Sequence, residues 1–199
     1  MQAERTDVAP AIPETMIHVS PLNGLRDVAA RLGPFDMLTM LSPGSTVGAT
    51  DGMNPERHLH LAFHDIVEAR PGLVIPDRAA VEAILDFERS WTGVCPMLIH
   101  CWAGISRSSA AAYIMACDRN PGSEHDLAGE LRRRAPFVTP NRLMVALADD
   151  LLGRHGAMID AIARIGRGAD AFEGTSYQLP LRWPARKAFR PQPAPDFRR

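Results

Sequence analysis

The sequence predicts a single α/β domain, with a central, mostly parallel sheet of about four to five strands flanked by helices. Three observations carry this. Short apolar runs alternate with stretches of helical periodicity along most of the chain. Gly and Pro pairs punctuate the alternation. The 199 residues, 46% hydrophobic and 23% charged, suit one domain with its own core.

Residues 1–15 are polar, contain proline and show no periodicity, which reads as a flexible N-terminal segment. Met16–Ser20 reads as a first strand. Pro21–Leu32 reads as a helix with Leu25, Val28, Ala29 and Leu32 on one face, stopped by Gly33-Pro34. Asp36–Leu41 (DMLTML) is a buried-type strand, and 42–54 is a Gly/Ser/Thr-rich loop. His58–Phe63 alternates as a half-buried strand and leads into His64-Asp65. A loop with Pro71-Gly72 precedes a helix from about Pro76 to Trp91. Met97–His100 is a short apolar strand, Cys101–Ser106 a loop, and Arg107–Cys117 an alanine-rich helix. Ser123–Arg134 is opened by Ser-x-x-Asp, a capping-box-like start. Pro140-Asn141 opens a helix to about Arg154, and a last helix spans about Ala157–Arg167. The domain is thus expected over 16–174. Residues 175–199 hold five prolines and six Arg/Lys against one Asp. They read as a basic tail, extended or packed on the domain through Leu179, Leu181 and Trp183.

The net charge of −1 therefore conceals a +5 tail and a −6 remainder. A chain so nearly neutral is not expected to bind nucleic acid. No apolar run reaches the ~18 residues of a membrane span, and the first residues lack an apolar signal core. Three cysteines do not make a disulfide framework, so a cytoplasmic location is expected. Nothing in the sequence bears on oligomeric state.

The chemistry concentrates in Met97–Ala112, MLIHCWAGISRSSAAA. An apolar strand runs into Cys101, a five-residue loop, and Arg107 at a helix start. The amides of such a loop, Trp102, Ala103, Gly104, Ile105, Ser106 and Arg107, form a nest for a tetrahedral oxyanion. Gly104 permits the tight backbone. The planar Arg107 guanidinium can hold two phosphate oxygens at once. The same field favours the thiolate of Cys101. Ser108 can donate to that sulfur, and His100 can brace the loop.

The pattern H-C-x5-R-S resembles the signature of the cysteine-dependent protein tyrosine phosphatases, and HCWAGISRS looks most like their dual-specificity branch. A bare Cys-x5-Arg arises by chance in roughly 30% of such chains; the added His, Gly and Ser lower this to roughly 10⁻⁴. The run Leu131–Asn141 (LRRRAPFVTPN) resembles the basic helix and Pro-Asn of that branch and brings in Asn141 as a supporting residue. The resemblance is best over 58–154. It implies a phosphatase-like fold and phosphomonoester hydrolysis through a cysteinyl-phosphate, on a phosphorylated protein or small phosphomonoester, with no cofactor. It also implies an aspartic general acid on a loop some thirty residues before the cysteine. Asp65 stands 36 positions before Cys101 and Asp77 stands 24 before it. Asp77 falls where a helix cap is expected, which favours Asp65. A phosphate-dependent binding module and a rhodanese-like sulfurtransferase are the alternatives.

The remaining candidates have plainer readings. Cys95 and Cys117 are expected as structural thiols, too far along their elements to pair with Cys101. His58, His60 and His64 lack a matching ligand set, so no metal site is expected. Arg132, Arg133 and Arg134 read as a solvated helix end, or as one arginine facing a second acidic group on the substrate.

Overall fold

The structure is a computed structural model, and it describes residues 16–45 and 52–183. The expectations for 1–15, for 46–51 of the first loop and for the tail from 184 lie outside these residues.

Five strands form one sheet: β1 (Met16–Pro21), β2 (Asp36–Leu41), β3 (Arg57–Ala62), β4 (Met97–Cys101) and β5 (Tyr177–Pro180). Their order is β3-β2-β4-β1-β5, and all pairings are parallel except β1 with β5. The central β2 and β4 are buried at every residue, which is why DMLTML and MLIHC read as continuous apolar runs. The edge strand β3 alternates between half-buried and exposed.

Successive side chains of a strand face opposite ways, and the two faces are covered unequally. Met37 and Leu98 meet α1 (Leu25–Leu32) through Leu25, Val28 and Ala29. Leu38, Met40, Met97 and Ile99 join the larger core beneath α2 (Arg78–Arg89), α3 (Arg107–Arg119), α4 (Glu124–Arg134), α5 (Arg142–Leu151) and α6 (Ala157–Ile165). Helix α3 is buried from Arg107 through Cys117. Its Ala110, Ala111, Ala112 and Ala116 let the sheet and neighbouring helices approach closely, as a helix buried all round requires.

Several boundaries differ from expectation for local reasons. Pro21 ends β1, opposite Cys101 in the ladder, instead of starting α1, which begins after Gly24. Ser123 makes no side-chain cap, so the capping box expected at α4 does not form. Helix α6 stops at Ile165 because Gly166 turns at φ +64° and donates back to Ile162 and Ala163. Within the expected tail, β5 pairs with β1, and Leu179 and Leu181 are buried. Asn120 clasps the following residues, donating to Leu181 O at 2.7 Å and accepting from Trp183 N at 2.7 Å.

The parallel strands all end on one side: Pro21, Leu41, Ala62 and Cys101 lie along the same edge of the sheet. In such sheets ligands bind beyond the carboxyl ends of the strands.

Candidate active site

Cys101 is the last residue of β4 and is 2% exposed. Its Sγ lies 3.2 Å from Ser108 Oγ and accepts from Gly104 N at 3.3 Å. The loop from 102 to 106 then carries the chain around to Arg107, the first residue of α3.

What shapes this loop is the binding of its carbonyls from outside. Trp102 O accepts from Leu22 N at 3.0 Å, and Ala103 O from Gly174 N at 2.8 Å. Ile105 O accepts from Thr139 N at 3.1 Å and Ser106 O from Asn141 N at 3.3 Å. A trans peptide sets N–H opposite to C=O, so the amides of Ala103, Gly104, Ser106 and Arg107 turn the other way. The Gly104 N–H pointing at Cys101 Sγ marks that direction. Gly104 has φ +71°, and a Cβ there would stand 2.8 Å from Pro21 N. Only glycine fits between the loop and the end of β1.

The Arg107 side chain is buried. Its Nη1 donates to Phe63 O at 2.9 Å, just past β3, and its Nε has no partner among the described residues. Asp65 follows two residues after Phe63. Its Oδ1 accepts from Ser106 Oγ at 2.7 Å and from Asn141 Nδ2 at 2.9 Å. Asn141 caps α5, its Oδ1 accepting from Leu143 N and Met144 N, and Nδ2 also reaches Ile66 O at 3.2 Å. One carboxamide thus ties a helix end to the Asp65 loop. A pocket of about 440 Å³ brings together Cys101, Arg107, Asp65, Ser106, Ser42 and Ser45.

Asp77 is elsewhere in role: its side chain accepts from Ala80 N at 2.9 Å as the N-cap of α2. His100 bonds sideways, its Nε2 2.7 Å from Thr39 Oγ1 on β2 and not on the loop. Thr39 Oγ1 also meets His58 Nε2 at 2.8 Å. With one hydroxyl proton, Thr39 donates to one ring and accepts from the other. Burial pushes His100 down to about 4. His58 stacks on His60 at 6.1 Å, and His64 Nδ1 accepts from Val74 N. No group of three His, Cys, Asp or Glu able to hold a metal ion occurs among the described residues. Cys95, Cys101 and Cys117 are free, and burial raises the Cys117 thiol.

The arginine run bonds within the fold, although Arg133 is exposed, as a solvated helix end requires. Arg132 donates to Pro136 O, Val138 O, Ile165 O and Gly166 O, and Arg133 and Arg134 pair with Glu130. None of the three lines the pocket.

Sequence reasoning missed Pro21 and Gly174, which shape the loop from outside, because a backbone contact leaves no residue-type signal. It also missed Thr39, although a hydroxyl inside an apolar strand was a visible cue.

No protein-family model matches the chain, and no curated protein matches it. Solved structures do. Tk-PTP in its active form aligns at 19% identity and a TM-score of 0.50, over 68% of this chain and 88% of that one. A glycine-to-alanine mutant form of Tk-PTP aligns at 20% identity and a TM-score of 0.48, over 68% and 86%. A mouse protein described as a dual specificity phosphatase, complexed with zinc tungstate, aligns at 18% identity and a TM-score of 0.46, over 79% and 98%. The domain, with its mostly parallel five-stranded sheet and flanking helices, has the fold seen in Tk-PTP.

Proposed function

We propose that the chain is a cysteine-dependent protein tyrosine or dual-specificity phosphatase, hydrolysing phosphomonoesters through a cysteinyl-phosphate. The observation that carries the reading is the Cys101 sulfur held by Ser108 Oγ and Gly104 N on the floor of a pocket that also contains Arg107 and Asp65. The inward amides and Arg107 hold the equatorial oxygens of the phosphoryl group. The unpartnered, buried Arg107 Nε supports this, since such a donor is costly until an anion takes it. The Cys101 thiolate attacks phosphorus in line, and the ester oxygen leaves with a proton from Asp65. Asp65 then takes a proton from water as the water's oxygen attacks phosphorus and the S–P bond breaks. Ser108 donates to the departing sulfur.

The substrate is a phosphorylated protein or small phosphomonoester, and no cofactor takes part. The chemistry needs a reduced Cys101, which fits a cytoplasmic site of action. Among the described residues no helix is long and apolar enough to cross a membrane. The test is hydrolysis of an aryl phosphate, expected to be blocked by vanadate and indifferent to chelators. Cys101→Ser should abolish turnover and keep vanadate-competitive ligand binding; full activity in that variant sinks the reading. A single turnover that releases phosphate separates it from a binding module, and thiosulfate turnover would favour a sulfurtransferase.

A further inference from the structure

A second recess, of about 420 Å³, opens beside the catalytic pocket, and Trp102 belongs to the walls of both. It is formed by Leu22 and Asn23 after β1, Arg26 of α1, Trp102 of the anion loop, and Phe172 and Glu173. Trp102 and Phe172 meet edge to face with centroids 5.3 Å apart, yet they are 49% and 84% exposed. Aromatic rings left this open beside a reactive pocket lose nothing in folding and gain only when something covers them.

The walls limit what that something is. Leu22 and the two rings offer apolar area. Arg26 and Glu173 offset one another in formal charge, so the recess does not select a second acidic group. The Asn23 carboxamide, exposed and without a hydrogen bond among the described residues, presents a donor and an acceptor together. A peptide group presents the same pair in complement. The Trp102 ring is fixed to the loop that holds the reacting phosphorus, so distance from the recess to Cys101 is set by one residue.

We infer that this recess is a specificity subsite for a phosphopeptide, taking an apolar or aromatic side chain adjacent to the phosphorylated residue, with Asn23 on the peptide backbone. The inference rests on the phosphatase reading and names the substrate class for that same site.

The experiment compares phosphopeptides carrying Phe, Ala or Glu on either side of the phosphorylated residue, with an aryl phosphate as reference. Phe should raise kcat/KM about tenfold over Ala, through KM. Phe172→Ala should remove most of that gain and leave aryl phosphate turnover unchanged, and Phe172→Tyr should restore it. Equal kcat/KM for the three peptides, or a gain that survives Phe172→Ala, overturns the subsite. So does a preference for phosphorylated lipid vesicles over every peptide. Titration of the same peptides against the Cys101→Ser protein, followed by tryptophan fluorescence, reads the order of affinities without turnover. Loss of aryl phosphate hydrolysis in the wild type would therefore count against the phosphatase reading alone, and an unchanged Kd across the three peptides against the recess alone.

Discussion

Asn141 joins Asp65 across the site: one carboxamide donates to the carboxylate at 2.9 Å and caps two amides of α5. Removing it should therefore act on two properties at once. Asn141→Ala is expected to lower stability by about 1 kcal/mol through the cap. On the proposed mechanism it should also slow turnover most for esters with poor leaving groups, which need the proton assigned to Asp65. Asn141→Ser, which keeps a cap but not the reach to Asp65, should recover the melting temperature and not the rate. Chemical denaturation beside a leaving-group series measures both.

Asp65 and Asp77 should part cleanly on substitution. Asp65→Asn is expected to reduce kcat by roughly 10²-fold or more with poor leaving groups. Asp77→Asn should change neither rate nor stability, since Asn caps as well as Asp. Asp77→Ala should cost about 1 kcal/mol and leave kcat alone. A leaving-group-dependent loss in Asp77→Asn would reassign the acid.

Gly104→Ala brings a Cβ within 2.8 Å of Pro21 N at φ +71°. Either the loop or the end of β1 must move. The strain is expected to cost about 1–3 kcal/mol. Vanadate affinity should fall with it, as the amides leave their common direction; calorimetry of vanadate binding checks this.

Arg132 is bound to four carbonyls. Arg132→Ala is expected to destabilise by about 2–3 kcal/mol. Discrimination between singly and doubly acidic substrates should not change. Altered discrimination without lost stability would restore the reading of this run as a substrate contact.

His100 makes stability depend on pH. Burial holds the ring near 4 against an ordinary value of 6.5, and burial also lowers His58 and His18. Between those two values the unfolded chain binds the proton that folded His100 refuses. Its contribution is complete above about 6.5 and is lost as pH falls towards 4, with a slope of up to ~1.4 kcal/mol per unit. Denaturation midpoints across pH 4–7 should show the loss, and His100→Asn should lessen it to the part due to His58 and His18.

Much of this was legible in the sequence. Continuous apolar runs mark β2 and β4 because both are buried on two faces, and Asp77 announces its helix cap by residue type. Cys101 and Arg107 stand out because the chemistry proposed for them needs fixed spacing along one loop. β5 did not, because Tyr177–Pro180 lies within a Pro-rich, basic stretch whose average composition hides four residues that fit an edge. The outcome for Arg132 was equally hidden: a guanidinium satisfied by carbonyls looks, in one dimension, like a solvated charge. The Asn141–Asp65 bond closes 76 positions of chain, a distance at which no local pattern speaks.

The loop around Cys101 is braced from far downstream. Gly174 N holds Ala103 O, and Ser176 Oγ meets Ser20 Oγ, 156 positions away, at 3.1 Å. On a ribosome Cys101 therefore emerges before three of the four groups that hold the loop's carbonyls, Leu22 alone preceding it. The nascent chain is expected to display the thiol on a loop still incompletely braced, and to complete the bracing when Gly174 reaches Ala103 O and β5 docks on β1. The order of synthesis thus sets the loop around Cys101 among the last parts of the fold to be completed.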